Sequence, residues 1–308
     1  MAKIVCVGAY VTDMIGRSDK LPERGQSVIA RSYTTSAGGK GANQCVAAGR
    51  VGGDTAMVTK VGTDAFGEVA IQNFKNEGID TQFIFVDEEL VTGVALIFVN
   101  ENTGENLLMI YPGACNNVTE SDITSAESLI AGAEIVVIQL EIPHERNVQV
   151  VEIASAAGAR VILNPAPARP VPDDFYQKID IVTPNETETQ GMVGVYPKDL
   201  ATCREAAAAF FAKGVKQVVL TLGENGYYAN DGQTDVMVPA YKVTAVDTTG
   251  AGDCFNGVFA ARLADGDDFF AAAKFASAAS ALSVTKPGAA PSMPYAPDVL
   301  KLMAEQPL

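Results

Sequence analysis

The sequence predicts an α/β protein: a parallel sheet covered by helices on both faces, with a small second sheet outside it. Short β-branched runs alternate with longer amphipathic stretches along most of the 308 residues. Several of those stretches end in glycine (Gly78, Gly158, Gly214) just before the next apolar run. Helix, glycine, then strand is the signature of βαβ units. The second sheet follows from residues 93–100 and 105–111, which flank Glu101-Asn-Thr-Gly104, a hairpin turn with no room for a helix.

The elements follow in order. Residues 4–7 read as a buried strand, and 43–51 as a helix with Val46, Ala47 and Arg50 at helical spacing. A strand at 56–61 leads to a helix at 66–77. A strand at 134–140 is followed by a helix at 145–157 and strands at 160–163 and 179–183. A helix at 200–213, a strand at 217–222 and two long helices at 253–264 and 269–285 complete the body. Residues 27–35 alternate like an exposed strand. The whole chain, 1–308, forms one domain, with a lid from segments at about 10–35 and 92–112. A flap with one apolar face must bury it on a ligand, on its own domain or on another copy.

Composition excludes several classes. At 48% hydrophobic residues the chain can build a large core. A net charge of −15 argues against binding nucleic acid or anionic membranes. An anionic substrate must instead be held by backbone N–H groups, helix N-termini, a metal or a few placed cations. Five cysteines, odd in number and without C-x-x-C, point to reduced thiols rather than disulfides or zinc. With no signal-peptide pattern and no run of 18 apolar residues, a cytoplasmic protein is expected. His144 is the one histidine, so multi-histidine metal sites are excluded. It is expected as an exposed residue at a helix start.

Asp247-Thr-Thr-Gly-Ala-Gly-Asp253 is the most informative stretch. A glycine turn running into a helix offers unpaired N–H groups to an anion, and the helix dipole favours negative charge there. Asp253 then stands ready to accept the proton of an attacking hydroxyl. A plain glycine turn capped by aspartate would share this spacing. Ala37-Gly-Gly-Lys-Gly-Ala-Asn43 is a second turn before a helix, with Lys40 and Asn43 as donors. Gly41 follows the lysine where a Walker A loop has Ser or Thr. No dinucleotide fingerprint follows the first strand.

Thr183-Pro-Asn-Glu-Thr-Glu188 marks a strand end and a helix start. Asn185 serves as a cap, or its carboxylate neighbours organise Mg²⁺ and water beside phosphates. Gln139-Leu-Glu141 ends an apolar strand, where open α/β sheets bind ligands. Thr221-Leu-Gly-Glu-Asn-Gly226 reads as a hairpin or a nucleotide-facing loop.

Together and in this order, these motifs resemble the ribokinase family of sugar and nucleoside kinases over essentially the whole chain. Thr92-Gly-Val-Ala-Leu-Ile-Phe-Val-Asn100, Leu163-Asn-Pro-Ala-Pro-Ala168 and Ser283-Val-Thr-Lys-Pro-Gly288 add to the match. The resemblance implies a three-layer αβα sandwich with a β lid. It implies ATP-dependent phosphorylation of a pentose at O5, with D-ribose first and 2-deoxy-D-ribose second. Other sugar or nucleoside kinases, and a sugar-binding regulator without catalysis, are the rivals.

By motif position, Asp253 would be the base, with Gly250, Ala251 and Gly252 as the anion hole. Asp13, Gly39, Lys40, Asn43 and Glu141 would hold the sugar. Asn185, Thr221, Gly223, Gly226 and Ser277 would line the ATP site, with Gly252 at its phosphates. Glu188 would act on Mg²⁺ through water. Asp247, Thr249, Ser283, Lys286, Gly288 and Ser292 would surround a monovalent cation, usually K⁺. Lids in this family commonly pair into a homodimer. One departure stands out: Val11, in Ala9-Tyr-Val-Thr-Asp13, occupies the place of the family's sugar-binding Asn. Valine cannot hydrogen-bond a hydroxyl, and an unpaired buried hydroxyl is costly. Related deoxyribokinases also carry an apolar residue there.

Overall fold

A computed structural model describes residues 2–308. The chain begins with β1 (Ile4–Val7), then β2 (Val11–Ser18), β3 (Ser32–Gly38) and α1 (Lys40–Arg50). Next come β4 (Thr55–Gly62), α2 (Ala65–Asn76), β5 (Ile84–Asp87), β6 (Thr92–Asn100) and β7 (Asn106–Gly113). Short helices α3 (Glu120–Ser125) and α4 (Glu127–Ala131) precede β8 (Ile135–Ile138), α5 (His144–Ala157) and β9 (Arg160–Leu163). Then follow α6 (Asp173–Tyr176), β10 (Ile181–Val182), α7 (Glu186–Val193), α8 (Leu200–Ala212) and β11 (Gln217–Thr221). β12 (Tyr227–Asn230), β13 (Asp235–Val238), α9 (Ala251–Ala264), α10 (Phe269–Ser283) and α11 (Ala296–Glu305) close the chain.

Nine strands form the main sheet in the order β13-β12-β11-β10-β9-β8-β1-β4-β5. It is parallel from β5 through β11, and β12 and β13 add an antiparallel edge. Alternate residues of each strand feed opposite cores, as the period of two demands. Ile4 and Cys6 of β1 pack with α1, α9 and α10, whereas Val5 and Val7 pack with α4, α5 and α8. The three-layer α/β/α arrangement follows. Strand order reverses around β1, whose neighbours are β4 and β8, so a ligand crevice is expected at the carboxyl ends there.

The second sheet has the order β3-β2-β6-β7. β2 lies parallel to β6 and antiparallel to β3, from Val11↔Gly38 to Arg17↔Ser32. That register moves the strand expected at 27–35 to Ser32–Gly38, directly before α1. β2 itself has a weak sequence signal, because Asp13 and Gly16 interrupt its apolar pattern. His144 opens α5 as expected, but it is half-buried, with its ring edge against Phe175 at 5.2 Å.

Candidate active site

The first helix starts three residues earlier than its apolar pattern indicates, because Gly39 caps it with φ 88°. Lys40, Asn43 and Gln44 therefore share one helix face, at i, i+3 and i+4. The glycines around them serve the protein's own packing. A Cβ on Gly41 would lie 2.8 Å from the backbone of Gly8, and one on Gly39 would lie 2.7 Å from the Ala9 carbonyl oxygen. A Cβ on Gly38 would strike the Asp13 carboxylate at 2.3 Å. This close packing brings α1 onto the end of β1 and sets Asp13 beside it.

α9 arrives from the far end of the chain. Gly250 caps it in the left-handed conformation (φ 76°), and a Cβ there would meet Ala289 at 2.9 Å. Gly252 differs: a Cβ would touch nothing within 4 Å. The protein's own packing does not require that glycine, which leaves the helix start open to an incoming group. In the first turn, the N–H groups of Gly252 and Asp253 find no acceptor among the described residues, as expected at a helix N-terminus. Asp253 is buried, at 6% exposure. Its Oδ2 accepts from Nδ2 of Asn43 at 2.9 Å and its Oδ1 from Nε2 of Gln44 at 3.0 Å. The Asn43 Oδ1 is buried without a partner, which leaves an acceptor beside the carboxylate.

Asp253, Lys40, Gly250, Ala251, Gly252, Asn185, Glu188 and Thr221 line one cavity. Glu141 joins it by accepting the Lys40 backbone N–H at 2.8 Å. Asp13 lies on β2, two residues after Val11, so both point to the same face of the lid. The crowding of acids shows in their titration. Burial, and then the Asp253 charge, pushes Asp13 up to about 6. Burial pushes Glu141 up to about 7 against the opposing Lys40 ammonium and N–H. Glu188 is also raised, mainly by burial. Burial works against the Lys40 charge, but Asp253, Glu141 and Glu188 outweigh it and raise its pKa. Lys40 thus remains a cation among three acids.

Asn185 and Glu188 form a reciprocal capping box on α7, so the capping role is fulfilled. One Glu188 oxygen, Oε2, accepts the Asn185 N–H at 2.9 Å. Thr221 bridges to Asn185. The 221–226 loop is the hairpin between β11 and β12, with Gly226 forced by a contact of 2.0 Å that a Cβ would make with the Val238 oxygen. Of this loop, Thr221 lines the cavity. Gly223 and Gly226 lie in this turn outside the lining residues, and Ser277 is buried on α10, also outside them.

The loop before α9 is zipped to the segment after α10. Both Val246 and Asp247 donate N–H groups to the Val284 carbonyl. Asp247 Oδ1 accepts from the Thr249 N–H (2.9 Å) and hydroxyl (2.6 Å), and Oδ2 from the Gly288 N–H (2.9 Å). Burial pushes Asp247 up, but these hydrogen bonds prevail and hold it below the usual carboxylate range. The hydroxyls of Ser283 and Ser292 donate to the carbonyls of Ser280 and Ala289. Lys286 sits in the same turn, its N–H on the Ser283 carbonyl.

A buried carboxylate beside an open helix N-terminus can take a hydroxyl proton and hold an anion, two things that phosphoryl transfer to an alcohol requires. The profile of the pfkB family carbohydrate kinase matches residues 1–296. The chain belongs to the pfkB family of carbohydrate kinases. This sugar kinase is 38% identical over 300 residues to the ribokinase of Staphylococcus aureus, covering 96% of this chain and 98% of that one. It is 36% identical over 292 residues to the deoxyribokinase of Salmonella typhimurium, covering 94% and 95%. The structure of the Arabidopsis thaliana ribokinase with ribose and ATP superimposes with a TM-score of 0.90 at 31% identity, covering 98% of both chains. The expected fold is therefore borne out, and the family's phosphoryl donor is ATP.

Sequence reasoning missed Gln44, Asn164 and Asn256, which surround Asp253 and Gly252. A helix begun at Lys40 would have exposed Gln44 by its i+4 spacing. Asn164 lies in the Leu163–Ala168 stretch that matches the family, but nothing local marks its contact with Gln44, and nothing local marks Asn256.

Proposed function

We propose that this kinase transfers the γ-phosphoryl group of ATP to the 5-hydroxyl of D-ribose. The observation that carries the reading is the Asp253 carboxylate, buried between the amides of Asn43 and Gln44 beside the open Gly252 helix start. Asp253 would take the hydroxyl proton, and the free N–H groups would hold the transferred phosphate. Asp13, Lys40, Asn43 and Glu141 would hold the sugar, with Gly39 at the close backbone turn. Lid closure would exclude water, which otherwise competes as acceptor.

The nucleotide would lie along Asn185, Thr221, Gly223 and Gly226, towards Ser277. The residues present fit Mg²⁺: Glu188 offers one oxygen not used by its cap, in keeping with an ion held mostly by phosphates and water. The metal would neutralise phosphate charge. K⁺ would be held at the turn of Asp247, Thr249, Ser283, Lys286, Gly288 and Ser292, largely through carbonyls. It would stiffen the loop that leads into Gly250.

A second reading, 2-deoxy-D-ribose, is favoured by Val11. It is 7% exposed, with a methyl 2.9 Å from where a Cβ on Gly93 would lie. It offers the sugar no hydrogen bond. The intact base and helix start speak against a non-catalytic regulator.

The lid supports a homodimer. Leu107, Leu108, Met109, Ile110 and Tyr111 on the edge strand β7 are each about half exposed (47–61%). A second copy would cover the face that Leu107, Met109 and Tyr111 share, with Leu108 and Ile110 on the other. Five free, buried cysteines suit a reducing compartment such as the cytoplasm. No helix among the described residues is long and apolar enough to cross a membrane.

Turnover with ribose, 2-deoxyribose, fructose and adenosine, with ATP, Mg²⁺ and K⁺, tests the proposal. The pentoses are expected to lead. If they were the poorest substrates, the assignment would fail, and background ATP consumption with every sugar would favour a regulator.

A further inference from the structure

We infer that Gln44 is a positioning residue for Asp253 and that Gln139 fixes the orientation of Gln44. This rests on the reading of Asp253 as the proton acceptor.

Gln44 and Gln139 are both 0% exposed. The Gln44 Nε2 donates to Oδ1 of Asp253 (3.0 Å) and to Oδ1 of Asn164 (3.0 Å). Its Oε1 accepts from the Gln139 Nε2 at 2.7 Å. The backbone carbonyl of Gln139 is held in turn by Nδ2 of Asn147 on α5, at 2.8 Å. A Cβ on Gly8 would fall 2.0 Å from the Gln139 Oε1, so the end of β1 leaves room for this amide only because residue 8 is glycine.

The chain of amides has one direction. An ionised carboxylate only accepts, so Gln44 must turn its NH₂ to Asp253. Its oxygen then faces Gln139, which must present its own NH₂. Asn164 extends the same set by donating to the Thr183 carbonyl at 3.2 Å. The Thr183 hydroxyl donates to Asn256 Oδ1, and the Asn256 amide donates to the Gly252 carbonyl at 2.8 Å. One buried network therefore braces both the proton acceptor and the anion-binding turn. Both ends of the Gln44 amide are paired, whereas Oε1 of Gln139 and Oδ1 of Asn147 are buried without partners, so the network is best defined at Gln44 itself.

Primary amides stay neutral at any working pH. Asp253 already faces Lys40 on α1, Glu141 after β8, Asp13 on β2 and Glu188 on α7. Gln44 aims the carboxylate without adding another titrating group to this crowd. Asn43, the other donor, keeps a free oxygen towards the sugar site, whereas both ends of the Gln44 amide are engaged within the protein.

The test uses steady-state kinetics of the full chain with its best pentose. Gln44→Met keeps the length and removes all three hydrogen bonds of the side chain. It is expected to lower kcat about 10- to 100-fold, the scale of a hydrogen bond to a charged group, with the sugar KM within about threefold. Gln44→Glu retains activity while the new glutamate and Asp253 share one proton, because the protonated acid still donates. It then loses activity as that proton leaves, at a lower pH than the wild-type alkaline limb. Gln139→Met lowers kcat less, and the double variant is no worse than Gln44→Met alone. A Gln44→Met kcat within twofold of wild type overturns the inference. So does a loss matched by an equal rise in KM together with a wild-type pH profile for Gln44→Glu. If Gln44→Met does not fold, an unchanged kcat in Gln139→Met with that same wild-type profile overturns it. Asp253→Asn separates the two readings: wild-type turnover there sinks the base assignment itself, whatever Gln44 does.

Discussion

The side-chain amide of Asn43 reaches Oδ2 of Asp253 at 2.9 Å, although 210 positions separate them in the sequence. The start of α1 and the start of α9 thus meet, and two glycine-rich turns become one site. Asp253→Asn preserves the shape and removes the proton acceptor. It is expected to lower kcat by about 10²–10⁴-fold while sugar binding, read by calorimetry, persists.

Gly250 and Gly252 should respond differently to alanine. Gly250 has φ 76° and Ala289 within 2.9 Å of the new Cβ, so Gly250→Ala is expected to lower the melting temperature. A Cβ at Gly252 meets open space. Gly252→Ala is expected to melt close to wild type yet lose kcat by about 10²-fold or more, because the methyl enters the anion cradle. Undiminished turnover would show that no phosphate approaches there.

Val11→Asn restores a hydrogen-bonding side chain two residues before Asp13. The ratio of kcat/KM for ribose to that for 2-deoxyribose is expected to rise by about tenfold, the scale of one hydrogen bond in a buried site. An unchanged ratio would remove this position from sugar discrimination.

Glu141 links the site to pH. Its folded-state pKa, about 7, lies above the ordinary 4.5. A raised acid favours the folded state while protonated. That contribution is complete below about pH 4.5 and is lost as pH rises through 7. Glu141→Gln stays neutral throughout. Its melting temperature is expected to gain on wild type by a few degrees between those limits, then hold a constant lead, in ligand-free melts. Asp13, raised to about 6, repels the Glu141 charge, so the same substitution also relieves Asp13 and adds to the lead.

Met109 is 61% exposed on β7. If lids pair, Met109→Asp places like charges against each other or against an apolar partner face. Sedimentation is expected to show dimer for wild type and monomer for the variant. A monomeric wild type would refute the pairing.

The alternating pattern made the main sheet legible. Residues 4–7 and 160–163 are strands with the expected ends, because β1 and β9 are buried on both faces and announce themselves by composition alone. The lid was harder. β2 carries Asp13 and Gly16, and β3 is largely exposed, so neither has the apolar run that betrays a core strand. Their pairing register decides where they lie. The apolar pattern begins three residues into the helix at 40–50, because Lys40 and Gly41 are not apolar, although Gly39 caps it.

Local sequence determined the parts of the proposed phosphoryl-transfer site. Gly250-Ala-Gly-Asp253 specifies a positive-φ turn, an open helix N-terminus and a carboxylate in its first turn, all of which follow from residues in contact along the chain. Tertiary structure decided what that carboxylate touches. Asn43, Gln44, Asn164 and Asn256 reach the site from separate strands and helices, and their amides acquire direction only when packing excludes water and each donor must find an acceptor. The raised acids at Asp13 and Glu141 arise for the same reason. Neither carries a charge problem in the extended chain, and burial together in one cavity creates it.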